Sequence, residues 1–381
     1  MAKSLFLAGR YCISDYRAVN NSRIYMISTV AFKRKIWLAP MLALSLSLTA
    51  CGGTETNTGS GEGGGKSVSL TGAGASFPAP LYQRWFSEYN KQNPNVRVSY
   101  QSVGSGAGVE QFTQGTVDFG ASDVAMKDEE IAKVQRGVAL LPMTAGSIVL
   151  AYNLPDVPEL KLSRQVYVDI LLGKITKWND PAIASLNPEA KLPDSKIAVV
   201  HRSDGSGTTG VFTKHLSAIN PEWKEKVGEG KTVEWPTGVG AKGNEGVTAQ
   251  ILQTEGSIGY IEYGYAKQQD IPTASLENKA GKYIAASSES ASNALGAATL
   301  PENLRAFVSD PEGEESYPIV TYTWLLAYQN YDNADKLQAL KDVANWSLTD
   351  GQDYAEELGY IPLPDNVVEK VQAKLDTIKA N

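Results

Sequence analysis

The stretch HRSDGSGTTGVFTKHL, residues 201–216, gathers an arginine, an aspartate and several hydroxylated residues at the entrance of a segment that reads as a helix. The first amides of a helix lack intrahelical acceptors and its N-terminal end carries partial positive charge, so such an entrance attracts anions. Two further glycine-rich turns open onto helical patterns in the same way, GAGASFPAP (72–80) and GSGAG (104–108). Glycine lets backbone approach a ligand closely, Pro78 and Pro80 suit an early helical position, and Ser76, Ser105, Ser206, Thr208 and Thr209 add hydroxyl donors. Any one of these hydroxyls is equally well a helix cap, worth about 1 kcal/mol. Three such turns in one chain point to a shared anion site. Arg202 is the only cation at these helix entrances, Lys214 lying further along the helical segment. Its guanidinium can present a planar fork to an oxyanion, with Asp204 two residues on to hold the fork in place; the competing reading is a surface ion pair of little worth.

Asp123, at the tip of a short strand pattern (Val117–Gly120), suits an anion site only if the anion carries a proton. Phosphate near neutral pH is a mixture of H2PO4⁻ and HPO4²⁻ and can donate a hydrogen bond to an ionised carboxylate, whereas sulfate cannot. A buried carboxylate facing a sulfate oxygen is left without a donor, a penalty of several kcal/mol. A carboxylate here therefore discriminates in favour of phosphate.

The elements that must position these residues alternate between strand and helix. Val68–Leu70 is a short strand; Leu81, Tyr82, Trp85, Phe86 and Tyr89 recur at helical spacing; Val96, Val98 and Tyr100 alternate as a strand; Val109 and Phe112 lie in a second helix. This order belongs to an α/β domain with a mostly parallel sheet. Two apolar runs, Ser147–Asn153 and Thr321–Gln329, bracket about 170 residues of further α/β pattern, including strands at Lys196–Val200 and Ser257–Tyr263. They read as paired crossover strands joining two lobes. Two helical patterns follow, one through Leu337, Leu340, Val343 and Trp346 and one through Val367, Val368, Val371 and Leu375, which return the chain to the first lobe.

The N-terminal segment has a different character. After Met26 come three cations, Lys33, Arg34 and Lys35, and an apolar stretch from Ile36 to Leu48. That stretch is short for a membrane span, which needs about 20 apolar residues, and fits a signal-peptide hydrophobic region. Leu48-Thr49-Ala50-Cys51 resembles a bacterial lipoprotein cleavage box, which makes Cys51 the lipidation site; the plainer alternative is an ordinary signal peptide with an accidental cysteine. Residues 1–25 add nothing that a signal needs, which makes Met26 the expected start. Cys12 falls in the leader, so no disulfide is available after its removal. Residues 1–50 are thus read as leader and lipoprotein signal peptide and 51–66, rich in Gly, Ser and Thr, as a flexible linker. GGGKS within that linker is not a P-loop, because position 60 is Ser where the motif needs Gly and no strand precedes it. The lobes are assigned as 67–146, 147–325 and, on the return, 326–381.

The whole chain carries a net charge of −7, and its first 50 residues hold seven Lys/Arg against one Asp, so the remainder is more acidic still at −13. A basic face for a phosphate backbone is not expected, which argues against nucleic acid as a partner. An anionic ligand must be held by local groups against an unfavourable overall field.

Taken together, TGAGASFPAPLY, VGSGAGVEQF, VDFGASD, HRSDGSGTTGVF, GVGAKGNEG and GSIGYIEY resemble the periplasmic phosphate-binding proteins of the PstS type, solute receptors of phosphate ABC importers. The resemblance runs from about Val68 to about Pro364. It implies an α/β, two-lobed periplasmic binding protein of type II, a venus-flytrap with two crossover strands. It further implies that Ser76 and the amide of Phe77 bind phosphate from the first lobe, that Ser105 donates and that Asp123 accepts the ligand's proton. From the other lobe Arg202 pairs with phosphate, Asp204 orients it, and Ser206 with the amides of Gly207 and Thr208 completes the cage. Many family members carry Thr where this chain has Ser76; the hydroxyl is kept. The expected partners are inorganic phosphate and a membrane permease with its ATPase. The receptor is expected to be a monomer, without cofactor, extracytoplasmic and anchored by lipid at Cys51.

Two other functions compete. A phosphoester hydrolase would need a base, and only His201 and His215 offer an imidazole; GASDV (120–124) fails as a G-x-S-x-G elbow at its last position. Gly238-Val239-Gly240-Ala241-Lys242-Gly243 matches the G-x-G-x-x-G of dinucleotide-binding loops, with Glu262 about 20 residues on. Pro236 interrupts any strand before it, however, and the resemblance makes the same block a structural turn.

Overall fold

A computed structural model describes residues 67–296 and 300–381. The leader, Cys12, the start at Met26, the lipidation site Cys51 and the linker 51–66 lie outside the described residues.

Eight strands make one sheet: β1 (Val68–Gly74), β2 (Val96–Ser102), β3 (Phe119–Ser122), β4 (Val138–Tyr152), β5 (Ala198–Arg202), β6 (Val239–Ala241), β7 (Ser257–Glu262) and β8 (Val320–Tyr328). Their order is β2-β1-β3-β8-β4-β7-β5-β6. β1 runs parallel to β2 and β3, and β5 runs parallel to β6 and β7, as strands joined by helical crossovers must. Between these two sets lie β8 and β4, each antiparallel to its neighbours. The result is a two-lobed α/β fold in which each lobe has its own parallel set and two long strands pass between them.

The second crossover run lies where the sequence places it, within a residue. The first is longer than expected: β4 begins at Val138, not at Ser147. The two apolar runs also do not pair along their length, since Val138–Ser147 pairs with β8 while Ile148–Tyr152 pairs with β7. Pro142 conceals the first half, because proline has no N–H and normally argues against a central strand. The ladder accommodates it with a register shift between Thr323 and Trp324, opposite Thr144 and Pro142. Both strands are buried on both faces, β8 throughout and β4 from Ala139 onward, which explains their unbroken apolar character.

The helices supply the covering layers. α1 (Ala79–Gln92) buries Leu81, Tyr82, Trp85, Phe86 and Tyr89, the five aromatic and apolar positions expected, against β2 and the C-terminal helices. α2 (Ser105–Gln114) is tied to β8: Phe112 stacks on Tyr328 at 4.2 Å between ring centroids, and the Tyr328 hydroxyl donates to the carbonyls of Phe112 and Val117 at 2.7 and 2.9 Å. α3 (Gly207–Ile219) and α4 (Gly243–Gln253) follow β5 and β6. Near the end of the chain α5 (Ala334–Leu348) packs on β1 and α1, and α6 (Asp365–Asp376) packs on α5 and β4.

This topology brings the carboxyl ends of β1, β3 and β5 together with the N-terminal ends of α2, α3 and α4, the crevice where open α/β sheets hold ligands. The lobes are in contact there, the Gly106 amide donating to the Gly205 carbonyl at 2.7 Å.

The crossover strands carry the packing between the lobes, so a cavity in one should be costly. Leu326 is fully buried in β8, opposite Gly120 of β3 and Leu140 of β4. Leu326→Ala is expected to lower unfolding free energy by about 3 kcal/mol, read from the denaturant midpoint at unchanged slope; a loss below about 1 kcal/mol contradicts this packing.

Candidate functional site

The loop from Ala75 to Phe77 is held by three tyrosines. Their hydroxyls donate to three consecutive carbonyls: Tyr100 to Ala75, Tyr265 to Ser76 and Tyr360 to Phe77, each at 2.7 Å. The carbonyl side of the loop is thereby engaged at three consecutive residues. The Phe77 ring itself is buried and meets Tyr360 edge-on at 6.2 Å. Tyr100 and Tyr360 are pushed well above the ordinary phenol range, first by burial; they stay protonated and remain donors.

Across the crevice, Arg202 closes β5 and is nearly fully buried. Its Nε and Nη2 donate to the two carboxylate oxygens of Asp204 at 2.8 and 2.6 Å, a bidentate pair. Burial works against the Asp204 carboxylate, but the hydrogen bonds and charge of Arg202 and the Gly243 amide, donating at 3.1 Å, hold it below the usual range. Arg202 Nη1 reaches Thr208 Oγ1 at 3.4 Å. The sequence's alternative of a weak surface ion pair does not apply, since the Arg202 side chain is 1% exposed.

Arg202 leads into α3, whose first residues are Gly207 and Thr208. Ser206 is the N-cap and its hydroxyl accepts from the Thr209 amide at 3.0 Å, the capping role that competed with anion binding. The cap leaves the hydroxyl proton available to donate, so the two roles are compatible. Thr209 points elsewhere, its hydroxyl bonded to Tyr260 at 2.6 Å. Gly207 comes so close to the first lobe that a Cβ there would collide with Ser105 Oγ and lie 2.7 Å from Asp123 Oδ2. Only glycine permits that approach. Gly104, the N-cap of α2 with φ +92°, is the counterpart on the other side, facing the Asp204 carboxylate.

Asp123 follows β3 and is 1% exposed. Its Oδ1 accepts from Thr323 at 2.9 Å and its Oδ2 lies 3.5 Å from Thr208 Oγ1. Its amide donates to Ser105 Oγ at 3.3 Å. Burial pushes the carboxyl up to about 7, against the opposing hydrogen bond of Thr323, the charge of Arg202 and the hydroxyls of Thr208 and Ser105. The nine candidate residues therefore converge on one place: Ser76, Phe77, Ser105 and Asp123 from one lobe, and Arg202, Asp204, Ser206, Gly207 and Thr208 from the other.

Several partners were not visible in the sequence. Asn244, at the start of α4, donates from its amide and from Nδ2 to Ser76 Oγ at 3.0 and 2.9 Å, and from Nδ2 to Thr208 Oγ1 at 3.2 Å. Thr323, 200 positions from Asp123, and the three tyrosines are brought in by topology alone. Only Asn244 left a trace, inside the GVGAKGNEG block read as a structural turn. That block does more than turn, because its amides at Gly243 and Asn244 serve Asp204 and Ser76. The same bonds occupy the amides that a dinucleotide pyrophosphate would need. Of the two histidines, His201 meets the cluster at the Arg202 backbone carbonyl, 3.1 Å from its Nδ1, and His215 stands apart. His215 is buried against Tyr167, with Nε2 2.8 Å from the hydroxyl and its titration pushed down to about 3 by burial, and His201 stacks on Trp235 at 5.0 Å.

Two lobes of parallel sheet, two crossover strands and a buried set of donors and one acceptor between the lobes define a two-lobed periplasmic binding protein, and comparison with known proteins agrees. Residues 53–350 match the model of the PBP superfamily domain. The phosphate-binding protein PstS of Pasteurella multocida is 47% identical over 80% of this chain and 89% of its own length; that of Haemophilus influenzae is 45% identical over 80% and 92%. The chain belongs to the PstS family of phosphate-binding proteins. Among solved structures, a high-affinity periplasmic phosphate-binding protein (PfluDING) bound with phosphate shares the fold with TM-score 0.66 at 20% identity, over 80% of this chain and 93% of that one. So does a phosphate-binding protein from Stenotrophomonas maltophilia, with TM-score 0.62 at 20% identity, over 81% and 94%.

The raised titration of Asp123 has a signed consequence for stability. A carboxyl whose folded value lies above its unfolded value of 3.8 stabilises the fold below that value and loses this contribution as pH rises toward about 7. Ligand-free protein is expected to lose about 3 kcal/mol of unfolding free energy from this group between pH 4 and 7. Asp123→Asn should flatten that slope in denaturant titrations at each pH, and parallel pH profiles for the two proteins contradict the assignment.

Proposed function

We propose that this chain binds free inorganic phosphate between its lobes and delivers it to the membrane permease and ATPase of an ABC-type phosphate importer. The observation that carries the reading is Asp123. Among the candidate residues it is the acceptor that faces a set of donors: the Ser76, Ser105, Ser206 and Thr208 hydroxyls, the Phe77, Gly207 and Thr208 amides, and the free edge of the Arg202 guanidinium. A protonated oxyanion satisfies both kinds of group, and a fully deprotonated one leaves the carboxylate unpaired. Relatives named PstS, at 47% and 45% identity over 80% of the chain, support the same ligand.

The lobes are divided as 67–146 and 147–325, with 326–381 returning to the first; closing of the lobes encloses the ligand and reopening releases it. The receptor is an extracytoplasmic monomer anchored to a membrane by lipid on Cys51, and it hydrolyses nothing. His215 is bonded to Tyr167, and His201 stacks on Trp235 with its Nδ1 at the Arg202 backbone carbonyl; an imidazole engaged in this way supports a receptor over a phosphoester hydrolase. No helix among the described residues is long and apolar enough to cross a membrane.

Calorimetric titration tests the ligand. Phosphate is expected to bind and sulfate to bind far more weakly, and absence of heat with phosphate refutes the proposal. Asp123→Asn, with an amide that can donate to sulfate, should narrow the gap between the two anions; an unchanged gap removes the carboxylate from the discrimination. Arg202→Ala should weaken phosphate binding by about 2–3 kcal/mol, the worth of a buried charge-assisted contact, and near-wild-type affinity places Arg202 outside the site.

A further inference from the structure

We infer that Asn244 is a positioning residue that fixes the hydroxyl protons of Ser76 and Thr208 as donors toward the anion between the lobes. The inference rests on the phosphate reading above and adds to it how the cage acquires its polarity.

The orientation of the Asn244 amide is determined by its surroundings. The Glu262 backbone N–H donates to Asn244 Oδ1 at 3.0 Å. Nδ2, with its two protons, is thereby turned toward Ser76 Oγ at 2.9 Å and Thr208 Oγ1 at 3.2 Å. Ser76 Oγ takes a second donor, the Asn244 backbone amide, at 3.0 Å. A hydroxyl has one proton and two lone pairs. With both lone pairs of Ser76 engaged, its proton can only be given away. Thr208 Oγ1 receives Asn244 Nδ2 and Arg202 Nη1, and its proton has Asp123 Oδ2 at 3.5 Å or an anion oxygen as acceptor.

A hydroxyl without such constraints rotates, and accepts from a protonated oxyanion as readily as it donates to an unprotonated one. Two hydroxyls locked as donors favour unprotonated ligand oxygens at their positions and leave Asp123 to take the ligand's proton. Asn244 has no contact with the proposed ligand in this scheme; it acts through Ser76 on one lobe and Thr208 on the other. A bridge that only holds the lobes closed would use the same contacts, and the two roles differ in how the loss of Asn244 depends on pH.

The test is the phosphate dissociation constant of the full chain at pH 5.5 to 8.5 for wild type, Asn244→Ala and Asn244→Ser. Neither variant adds a group that titrates in this range. The titratable and charged groups around Asn244 are Asp123, Arg202, Asp204, Glu245, Tyr260, Glu262 and Tyr265, and all are kept in both variants. Because Thr208 links Asn244 to Asp123, the ratio is also measured in an Asp123→Asn background, where the same narrowing is expected and a flat ratio assigns the pH dependence to Asp123 and overturns the inference. Alanine is expected to weaken binding about 30-fold at pH 8.5, where HPO4²⁻ dominates and needs donors, narrowing to about threefold at pH 5.5, where freed hydroxyls accept from H2PO4⁻. Serine, whose own hydroxyl imposes no direction, should narrow in the same sense and keeps the test open should the alanine variant fail to fold. A loss of equal size at every pH, or no loss, overturns the inference and leaves Asn244 a bridge or a bystander. Wild type that does not bind phosphate overturns the phosphate reading and this inference with it; wild type that binds, with a flat ratio, overturns this inference alone.

Discussion

The buried pair of Arg202 and Asp204 is the interaction on which the site depends. A guanidinium removed from water is unfavourable unless its charge and its N–H groups are met, and Asp204 meets two of them in a fixed plane. That arrangement orients the rest of the fork toward Thr208 and Asp123. It also lets a positive group stay buried with no ligand of its own, because the carboxylate compensates it. Asp204 in turn is held by the Gly243 amide, which ties the fork to the start of α4 and so to Asn244. This series of contacts runs from β5 through Asp204 to α4.

The same economy explains how an acidic protein presents an anion site. The chain carries a net charge of −7, so its overall field does not favour an anion. The charge of Arg202 is already compensated, and the remaining donors are neutral: hydroxyls and the first amides of helices. These are effective only where water is excluded and their direction is fixed. Exclusion comes from close approach of the lobes, which Gly207 and Gly104 permit by having no side chain. Direction comes from partners behind the first layer, the three tyrosines on the carbonyls of residues 75–77 and the hydrogen bonds of Asn244. Across the crevice, Ser102 donates to Glu245 at 2.7 Å and Lys231 pairs with Glu130 at 2.9 Å, contacts between the lobes outside the cage.

Much of this was legible beforehand, and for a common reason. Ser76, Ser105, Arg202, Asp204, Ser206 and Thr208 lie in turns where glycine and hydroxyl residues precede an amphipathic helix, a pattern with a local cause. The helix α1 was equally legible, because its apolar positions recur with the helical period. The first half of β4 was not, since Pro142 contradicts a central strand until the register shift opposite it is known. Thr323 and Tyr360 gave no signal at all. Each is one hydroxyl among many, distinguished only by what lies next to it.

The sequence by itself determined the alternation of strands and helices, the glycine-rich helix entrances and the residue types able to hold a protonated oxyanion, because each follows from the chemistry of a few neighbouring residues. Tertiary structure decided which entrances face one another, that Asp123 is buried enough to titrate near neutrality, and that Asn244 directs two hydroxyls from opposite lobes. Those properties depend on groups 36 to 200 positions apart in the chain. Their proximity is set by strand order and lobe closure, and no local pattern encodes it.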